Sequence, residues 1–171
     1  MARLAVFLGN PGPEYARTRH NVAWILAEHL SFSGSLVWQR KFKGMFAATG
    51  GGLLLLKPET FMNLSGESVG ACAQFYRIAP HELLVVHDDI ELRFGTAVAR
   101  AGGGLGGHNG LRDIARVLGS REFLRFRVGI SRPTRGDVAS YVLSRFTPEE
   151  ESELPGFLER AAAQLEAVLD E

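Results

Sequence analysis

The chain has 171 residues, and its 46% hydrophobic and 22% charged side chains are ordinary for one globular domain. The formal net charge is zero, yet residues 148–171 carry eight acidic side chains and one basic one, which leaves 18 basic and 11 acidic in the rest of the chain. This basic excess favours a polyanionic partner.

Cys72 is the single cysteine, which excludes an intrachain disulfide. No apolar run suffices for a signal peptide or membrane span, so we expect a cytoplasmic protein.

Apolar runs and helical spacing predict the elements of the first half of the chain. In order, they are a buried strand at 4–8, a helix at 22–30, a hairpin with strands at 42–48 and 53–56, and a helix that begins after Ser65 and ends at Tyr76. Pro58 ends the second strand of the hairpin, and Ser65 can cap the helix that follows.

The second half alternates strands and helices. Its predicted elements are strands at 83–86, 96–101 and 123–130, a helix at 111–118 and a last helix ending at residue 169. In the third of these strands Arg125 and Arg127 alternate with apolar residues. Thr147 and Glu150 form a capping box for the last helix, and Pro155 predicts a kink or restart within it. The alternation predicts one three-layer α/β domain over residues 1–171, with a mixed, largely parallel central sheet flanked by helices.

A glycine-rich loop separates the strand at 96–101 from the helix at 111–118. Residues 101–110 contain six glycines, followed closely by His108 and Asn109 at the start of the helical pattern. So much glycine costs conformational entropy unless the backbone adopts positive φ or closely approaches another group. The loop therefore predicts a binding site for an anionic or carbonyl-rich ligand at the helix N-terminus.

Polar side chains follow several predicted strands. Asn10 follows the first strand, Asp88 follows the strand at 83–86, and Asn63 and Asn109 lie in loops after their own strands. Because ligands bind beyond the carboxyl ends of parallel strands, we expect these groups to converge, with His20 nearby.

This set of residues favours a hydrolase that activates water. His20 can take a proton from water if a carboxylate, Asp88, fixes its tautomer and stabilises the imidazolium. The three asparagine amides can polarise an ester carbonyl without adding charge.

A serine hydrolase is the first alternative. Residues 66–70 fit G-x-S-x-G, and Asp88 and His108 follow Ser68 in the expected order. A nucleophile elbow needs a strand that runs directly into the serine, however, and a loop at 58–65 intervenes here.

Two further alternatives have less support. Gly102, Gly104 and Gly107 fit G-x-G-x-x-G, with Glu122 near the distance expected for a ribose contact of a dinucleotide. A metal site at residues 87–89 is not expected, because adjacent strand residues point in alternating directions.

Several further motifs occur in one order between residues 4 and 146. They are Gly9-Asn10-Pro11-Gly12, Tyr15, Thr18-Arg19-His20-Asn21, Lys57-Pro58-Glu59-Thr60-Phe61-Met62-Asn63-Leu64-Ser65-Gly66, His87-Asp88-Asp89, Gly106-Gly107-His108-Asn109-Gly110 and Arg127-Val128-Gly129-Ile130 before Arg132-Pro133. Together they resemble the bacterial-type peptidyl-tRNA hydrolases. That family cleaves the ester between a peptide and the 3′ ribose of tRNA, and it recycles tRNA after translation is aborted.

The resemblance implies roles for the residues of these motifs. His20 would be the general base, Asp88 would orient it, and Asn10, grouped with them in the active centre, would distinguish N-blocked peptidyl-tRNA from free aminoacyl-tRNA. Asn63 and Asn109 would hold the peptide backbone and the terminal nucleotide. The remaining substrate contacts implied are Tyr15, Phe61 and Met62 as channel walls, and His108 in the loop.

The partner implied is peptidyl-tRNA, bound by its acceptor end and 3′ terminus. We expect a monomer without cofactor or metal and without membrane contact. Phosphates would be bound without base readout, and the candidate side chains are Arg100, Arg112, Arg116, Arg132 and Arg135. A relative that binds RNA without catalysis is the opposing hypothesis, and the intact His20–Asp88 pair argues against it.

Overall fold

The computed structural model describes all 171 residues and contains seven strands and five α-helices. The strands are β1 (Leu4–Phe7), β2 (Gln39–Lys41), β3 (Gly44–Ala48), β4 (Leu54–Pro58), β5 (Leu83–Asp89), β6 (Ala97–Ala101) and β7 (Leu124–Gly129). The helices are α1 (Val22–Ala27), α2 (Ser65–Tyr76), α3 (Asn109–Leu118), α4 (Val138–Val142) and α5 (Pro148–Leu169). None of the helices combines the length and the apolar character needed to cross a membrane.

The strands form one sheet in the order β2-β3-β4-β1-β5-β7-β6. The central pairs β4-β1, β1-β5 and β5-β7 are parallel, whereas β2-β3, β3-β4 and β7-β6 are antiparallel. Only β3 and β6 therefore run against the other five strands, which confirms the predicted mixed, largely parallel sheet. Strand β2 was not predicted, because this short edge strand is polar throughout and has no apolar alternation.

Helices cover both faces of the sheet and bury two separate cores. Alternate residues of β1 point to opposite faces, so that Ala5 and Phe7 pack under α1 and α5, while Leu4 and Val6 pack under α2 and α3. A strand buried on both faces needs a continuous apolar run, which explains the pattern that predicted β1. The three-layer α/β architecture is confirmed.

The prediction that Ser65 caps α2 is wrong. Ser65 is the first residue of α2, and its hydroxyl donates to the carbonyl of Met62 at 2.7 Å. Of the kink or restart predicted at Pro155, the restart does not occur, because the last helix runs continuously from 148 to 169. Burial of Leu154 and Leu158 on either side of the proline offsets the lost backbone hydrogen bond. The capping box of Thr147 and Glu150 is confirmed.

The carboxyl ends of β1 and β5 lie side by side at one edge of the sheet. The register pairs Phe7 with Val86, so the loop after β1 begins beside the segment that ends with Asp88. The 3-10 turn at Arg19–Asn21 reaches the same edge. Arg19 holds this turn to α5, because its buried guanidinium pairs with Glu150 at 2.8 Å.

Candidate active site

Asp88 lies at the centre of the site, between two histidines. Its Oδ2 is 2.8 Å from Nδ1 of His20, and its Oδ1 is 2.8 Å from Nε2 of His108. The carboxylate is 3% exposed, so water cannot replace either partner. The predicted His20–Asp88 pair is therefore formed, and the imidazole of His108 binds the other oxygen of the same carboxylate.

The tautomer of His108 is fixed by the start of α3. Nδ1 of His108 accepts the backbone N–H groups of Gly110 and Leu111 at 3.1 and 3.3 Å. An imidazole nitrogen that accepts carries no proton, so in the neutral ring the proton is on Nε2, which donates it to Asp88. This cap satisfies the amides of the second and third residues of α3, Gly110 and Leu111.

His20 has the tautomer that a general base requires. Because both oxygens of Asp88 accept, Nδ1 of His20 donates to Asp88, and its Nε2 keeps a free lone pair. Burial lowers the pKa of His20, but the charge of Asp88 and its hydrogen bond outweigh burial and raise it above the ordinary value. Burial raises the pKa of Asp88, and the charges and hydrogen bonds of both histidines lower it far more, so Asp88 stays ionised.

The side chains around Asp88 do not suit a metal ion, although their donor atoms are close enough together to bind one. Donor atoms of His20, Asp88 and His108 lie within 4.8 Å of one another. Metal binding at Nε2 of His108 would displace the proton that its capping role places there and would leave an imidazolate. The arrangement favours proton transfer over metal binding.

His87 lies under the centre and was not assigned a role from the sequence. Its Nδ1 donates to the carbonyl of Asp88 at 2.8 Å, and its ring meets that of His108 edge-on with centroids 5.2 Å apart. Burial, and to a lesser degree the charge of His108, lower the pKa of His87 to about 4. His87 therefore remains neutral at physiological pH.

The asparagine after β1 is held by its neighbours on one side of His20. Oδ1 of Asn10 accepts the N–H of Met62 at 2.7 Å, which joins the loops after β1 and β4. Nδ2 of Asn10 makes no hydrogen bond within the protein and is not sealed from solvent. The free amide nitrogen is thus available to a ligand.

The other residues predicted on this side differ in exposure. Asn63 and Phe61 are exposed, and the Phe61 ring meets Tyr15 edge-on with centroids 6.3 Å apart. Met62 is 4% exposed and packs beneath Gly110, where an added Cβ would come within 2.7 Å of its sulfur. Tyr15 and Phe61 thus form an open wall, and Met62 supports it from below. These residues and Asn10 form what we call the amide side of the site.

A cavity of about 450 Å³ opens beside His20 and Asp88, and none of the residues of the amide side line it. Asn109 and the glycine loop line it together with Arg100, Arg125 and Arg127. Arg100 lies directly across from Arg125 in the β6-β7 pair, and Arg127 is two residues further along the same strand face. We call this the arginine side. Arg125 and Arg127 were not among the predicted site residues, although their alternation along the strand signalled a shared face.

The glycine loop depends on backbone conformations that glycine allows. Four of its glycines have positive φ, namely Gly102, Gly103, Gly106 and Gly107. The buried guanidinium of Arg125 donates to the carbonyls of Gly103, at 3.0 Å, and Gly104. Burial lowers the pKa of Arg125, as do the nearby charges of Arg100 and Arg121. Such crowding of positive charge favours an anionic ligand.

The other predicted arginines lie outside the cavity. Arg116 pairs with Asp113 at 2.8 Å, and Arg132 pairs with Glu91. Arg112 and Arg135 are exposed and make no ion pair. Of the five candidates, only Arg100 joins the arginine side.

The serine-hydrolase alternative is not favoured. Ser68 is fully buried in α2, and its hydroxyl donates to the carbonyl of Phe42 at 2.6 Å. The flanking glycines serve helix packing instead, because a Cβ at Gly66 would lie 2.5 Å from the carbonyl of Asp113. A Cβ at Gly70 would lie 2.7 Å from Val117 of α3.

The surroundings of the G-x-G-x-x-G run do not fit a dinucleotide-binding site either. The G-x-G-x-x-G run follows an antiparallel edge strand and not a strand of a βαβ unit. The carboxylate of Glu122 lies against Gly102, where an added Cβ would be 3.0 Å from its Oε2.

Several known proteins that are similar to this chain carry the same description. The sequence model of the family described as "Peptidyl-tRNA hydrolase" matches residues 4–171, so the match includes α5, beyond the motifs that carried the resemblance. A relative named peptidyl-tRNA hydrolase from Geotalea uraniireducens is 46% identical over 99% of this chain and 91% of its own length. Another from Mycobacterium tuberculosis is 44% identical over 98% and 91%, respectively.

The fold matches solved structures with the same description. A crystal structure of peptidyl-tRNA hydrolase from Acinetobacter baumannii superposes with a TM-score of 0.88 at 37% identity. The superposition covers 96% of this chain and 87% of that one.

Proposed function

This chain belongs to the peptidyl-tRNA hydrolase family, and we propose that it cleaves the ester between peptide and tRNA with a water molecule that His20 activates. It is an enzyme of the ester-hydrolase class. The observation that carries the catalytic proposal is the hydrogen bond of His20 to Asp88, which leaves Nε2 as a free acceptor.

The reaction proceeds by proton transfer through one imidazole. Nε2 of His20 takes a proton from water as the water oxygen attacks the ester carbonyl, and Asp88 stabilises the imidazolium that forms. The tetrahedral intermediate then collapses, and the C–O bond to the ribose breaks. The same imidazolium protonates the departing 3′ oxygen, which returns His20 to its neutral form and releases peptide and tRNA.

The amide side suits the peptide. An enzyme that accepts many peptides must recognise backbone groups, and neutral amides such as those of Asn10 and Asn63 do so without selecting side chains. The free Nδ2 of Asn10 can donate to a carbonyl of the peptide or to the developing oxyanion. The wall of Tyr15 and Phe61 provides apolar contact for the chain that extends from the ester.

The arginine side suits the nucleotide end. Phosphates neutralise clustered guanidinium groups and release counterions, and they provide affinity without sequence readout. Arg100 and Arg127 are available for this, and Asp89 holds Arg127 in place at 2.8 Å. Arg125, in contrast, is committed to loop carbonyls.

The site needs no second chain, because His20, Asp88 and the amides all belong to one protomer, which supports a monomer. The substrate arises from aborted translation, so we place the enzyme in the cytoplasm.

The test compares two substrates that differ in one acetyl group. Purified protein with N-acetyl-aminoacyl-tRNA should release free tRNA, whereas aminoacyl-tRNA with a free amine should be hydrolysed far more slowly. Binding of both substrates without cleavage of either would refute the proposal and favour a non-catalytic RNA-binding protein. Equal cleavage of both would refute the role given to Asn10.

A further inference from the structure

Asn21 is a fully buried polar residue that the proposed chemistry does not use. Its Oδ1 accepts the backbone N–H of Asn10 at 2.9 Å, and its Nδ2 donates to the backbone carbonyl of Asn10 at 3.0 Å. The side-chain amide thus mimics a neighbouring strand and holds both backbone groups of one residue. Its exposure is 0%.

The position of Asn21 in the chain makes this pairing unusual. Asn21 occupies the N-cap position of α1, where asparagine normally accepts a helix N–H, yet it makes no such side-chain bond. The residue forgoes the stabilisation that an N-cap would give α1 and pairs with Asn10 instead. A residue needed only for helix stability would cap α1.

A chain of contacts runs from Asn21 to both loops of the amide side. The backbone of Asn10 is fixed by Asn21, and its Oδ1 is fixed by Met62 at 2.7 Å, so its Nδ2 has one remaining direction. His20 precedes Asn21 in the same 3-10 turn. The general base and the amide that faces the peptide are therefore aligned by adjacent residues.

Trp24 supports the same loop from one turn further along α1. Its Nε1 donates to the carbonyl of Phe7 at 2.7 Å, and its ring packs against Gly9, where any Cβ would lie 2.6 Å from the ring. Backbone from residues 7 to 10 is thus held at three points by α1 and the turn before it. Asn21 contributes the two points at the functional residue.

We propose that Asn21 is a positioning residue that sets the direction of the Asn10 amide relative to His20 and so determines the preference for N-blocked substrates. This inference rests on the proposed function, because it takes Asn10 as the group that senses the blocked amine. Asn21 itself touches no substrate and acts through Asn10.

The test is a double-mutant cycle that uses substrate preference as its readout. Asn10→Ala, Asn21→Ala and the double variant are compared for the ratio of kcat/KM on N-acetyl-aminoacyl-tRNA to kcat/KM on free aminoacyl-tRNA. Because small misplacements of reacting groups are costly, Asn21→Ala should lower kcat/KM on the acetylated substrate by about 10- to 100-fold. It should also lower the preference ratio nearly as far as Asn10→Ala does. In the Asn10→Ala background, Asn21→Ala should cause little further fall in the ratio, since the amide it directs is gone.

Ser68→Ala is the matched control, because it also removes a fully buried side-chain hydrogen bond to backbone but lies in α2. It should leave the preference ratio unchanged. If Asn21→Ala does not fold, Asn21→Ser carries the same measurement, since it keeps a polar group in the buried position and adds no charge, but its hydroxyl is too short to hold both backbone groups of Asn10.

Two results would overturn the inference while leaving the proposed function intact. One is a wild-type preference ratio in a folded Asn21 variant. The other is a double variant in which the preference ratio falls by the product of the two single-variant effects. An unchanged ratio in Asn10→Ala would overturn both this inference and the role proposed for Asn10. Absence of hydrolysis by the wild-type protein would refute the proposed function itself.

Discussion

The amide side and the arginine side flank the same imidazole, yet they are organised by opposite physical means. On the amide side, neutral groups are locked by short hydrogen bonds, as when Asn10 pairs with Asn21 and Met62. On the arginine side, like charges face each other across β6 and β7, and Arg100 has no acidic partner. The amide side holds its free donor, Nδ2 of Asn10, in place through hydrogen bonds, whereas the arginine side keeps the unneutralised charge of Arg100.

Because of this difference, the two sides suit different parts of the substrate. Preset neutral donors act at short range and demand accurate geometry, so they suit the peptide and the reacting carbonyl. Unneutralised charges act at longer range and tolerate imprecise geometry, so they suit a phosphate backbone. Variants on the amide side should therefore change substrate preference and turnover, whereas variants on the arginine side should change affinity and its dependence on salt.

The largest effect is expected at the imidazole that both sides share. His20→Ala removes the proposed general base, so hydrolysis should fall by about 10²- to 10⁴-fold. Binding of a non-hydrolysable substrate analogue should change little, because neither flanking side is altered. Single-turnover rates and equilibrium binding measured on the same preparation provide the check, and normal turnover would refute the role of His20.

Asp88→Asn should have a large effect with a distinctive pH signature. An amide has one acceptor oxygen, but the N–H groups of both His20 and His108 need acceptors here. Since His108 is locked by its capping role, His20 would take the other tautomer and lose its free Nε2 lone pair. Turnover should fall on the order of 10³-fold, as expected when a general base is held in the wrong tautomer.

The pH dependence follows from the pKa of His20. In the wild-type protein Asp88 raises that pKa, so kcat/KM should increase with pH through a midpoint above about 6.5. In Asp88→Asn the charge that raises the pKa of His20 is absent, and burial then lowers that pKa. The pH profile of the residual kcat/KM should therefore have its midpoint below about 6.5. An unchanged midpoint would contradict the electrostatic role of Asp88.

Arg100→Gln sharpens the contrast between the two sides. It should raise KM several-fold, leave the preference for N-blocked substrate intact, and reduce the slope of log kcat/KM against log salt concentration by about 0.7–0.9. Arg132→Gln is the matched control, because Arg132 is already paired with Glu91 outside the cavity, and it should change the slope less. Equal slopes for both variants would contradict the special role of the arginine side.

Much of the fold could be predicted from the sequence, because its elements have strong local patterns. The buried strands β1 and β5 are continuous apolar runs, and the capping box of Thr147 marks the start of α5. The polar edge strand β2 lacked such a pattern, since it pairs through its backbone alone. The hydrogen-bond partner of Ser65 could not be predicted either. A serine hydroxyl can bond to several nearby backbone groups, and only the tertiary structure determines that it donates to Met62.

The site was predictable where chemistry dictates residue type and less so where it depends on packing. His20 and Asp88 were expected to pair because a general base needs a carboxylate. The second histidine on Asp88 and the pairing of Asn21 with Asn10 depend on three-dimensional register that no local spacing encodes. Among the arginines, cross-strand pairing determined which side chains line the cavity, and this pairing separates Arg100 from Arg135.

The smallest catalytic effect is expected at Ser68, outside both sides. Ser68→Ala leaves the carbonyl of the half-buried Phe42 without its donor, so the free energy of unfolding should fall by about 1 kcal/mol. Turnover of N-acetyl-aminoacyl-tRNA should stay at the wild-type level, because the hydroxyl faces the interior between α2 and the β2-β3 turn and touches neither His20 nor the cavity. Denaturant unfolding and kcat measured on one preparation separate the two quantities. A loss of turnover without a loss of stability would mean that Ser68 takes part in the chemistry, and the division of labour between the two sides would then have to be abandoned.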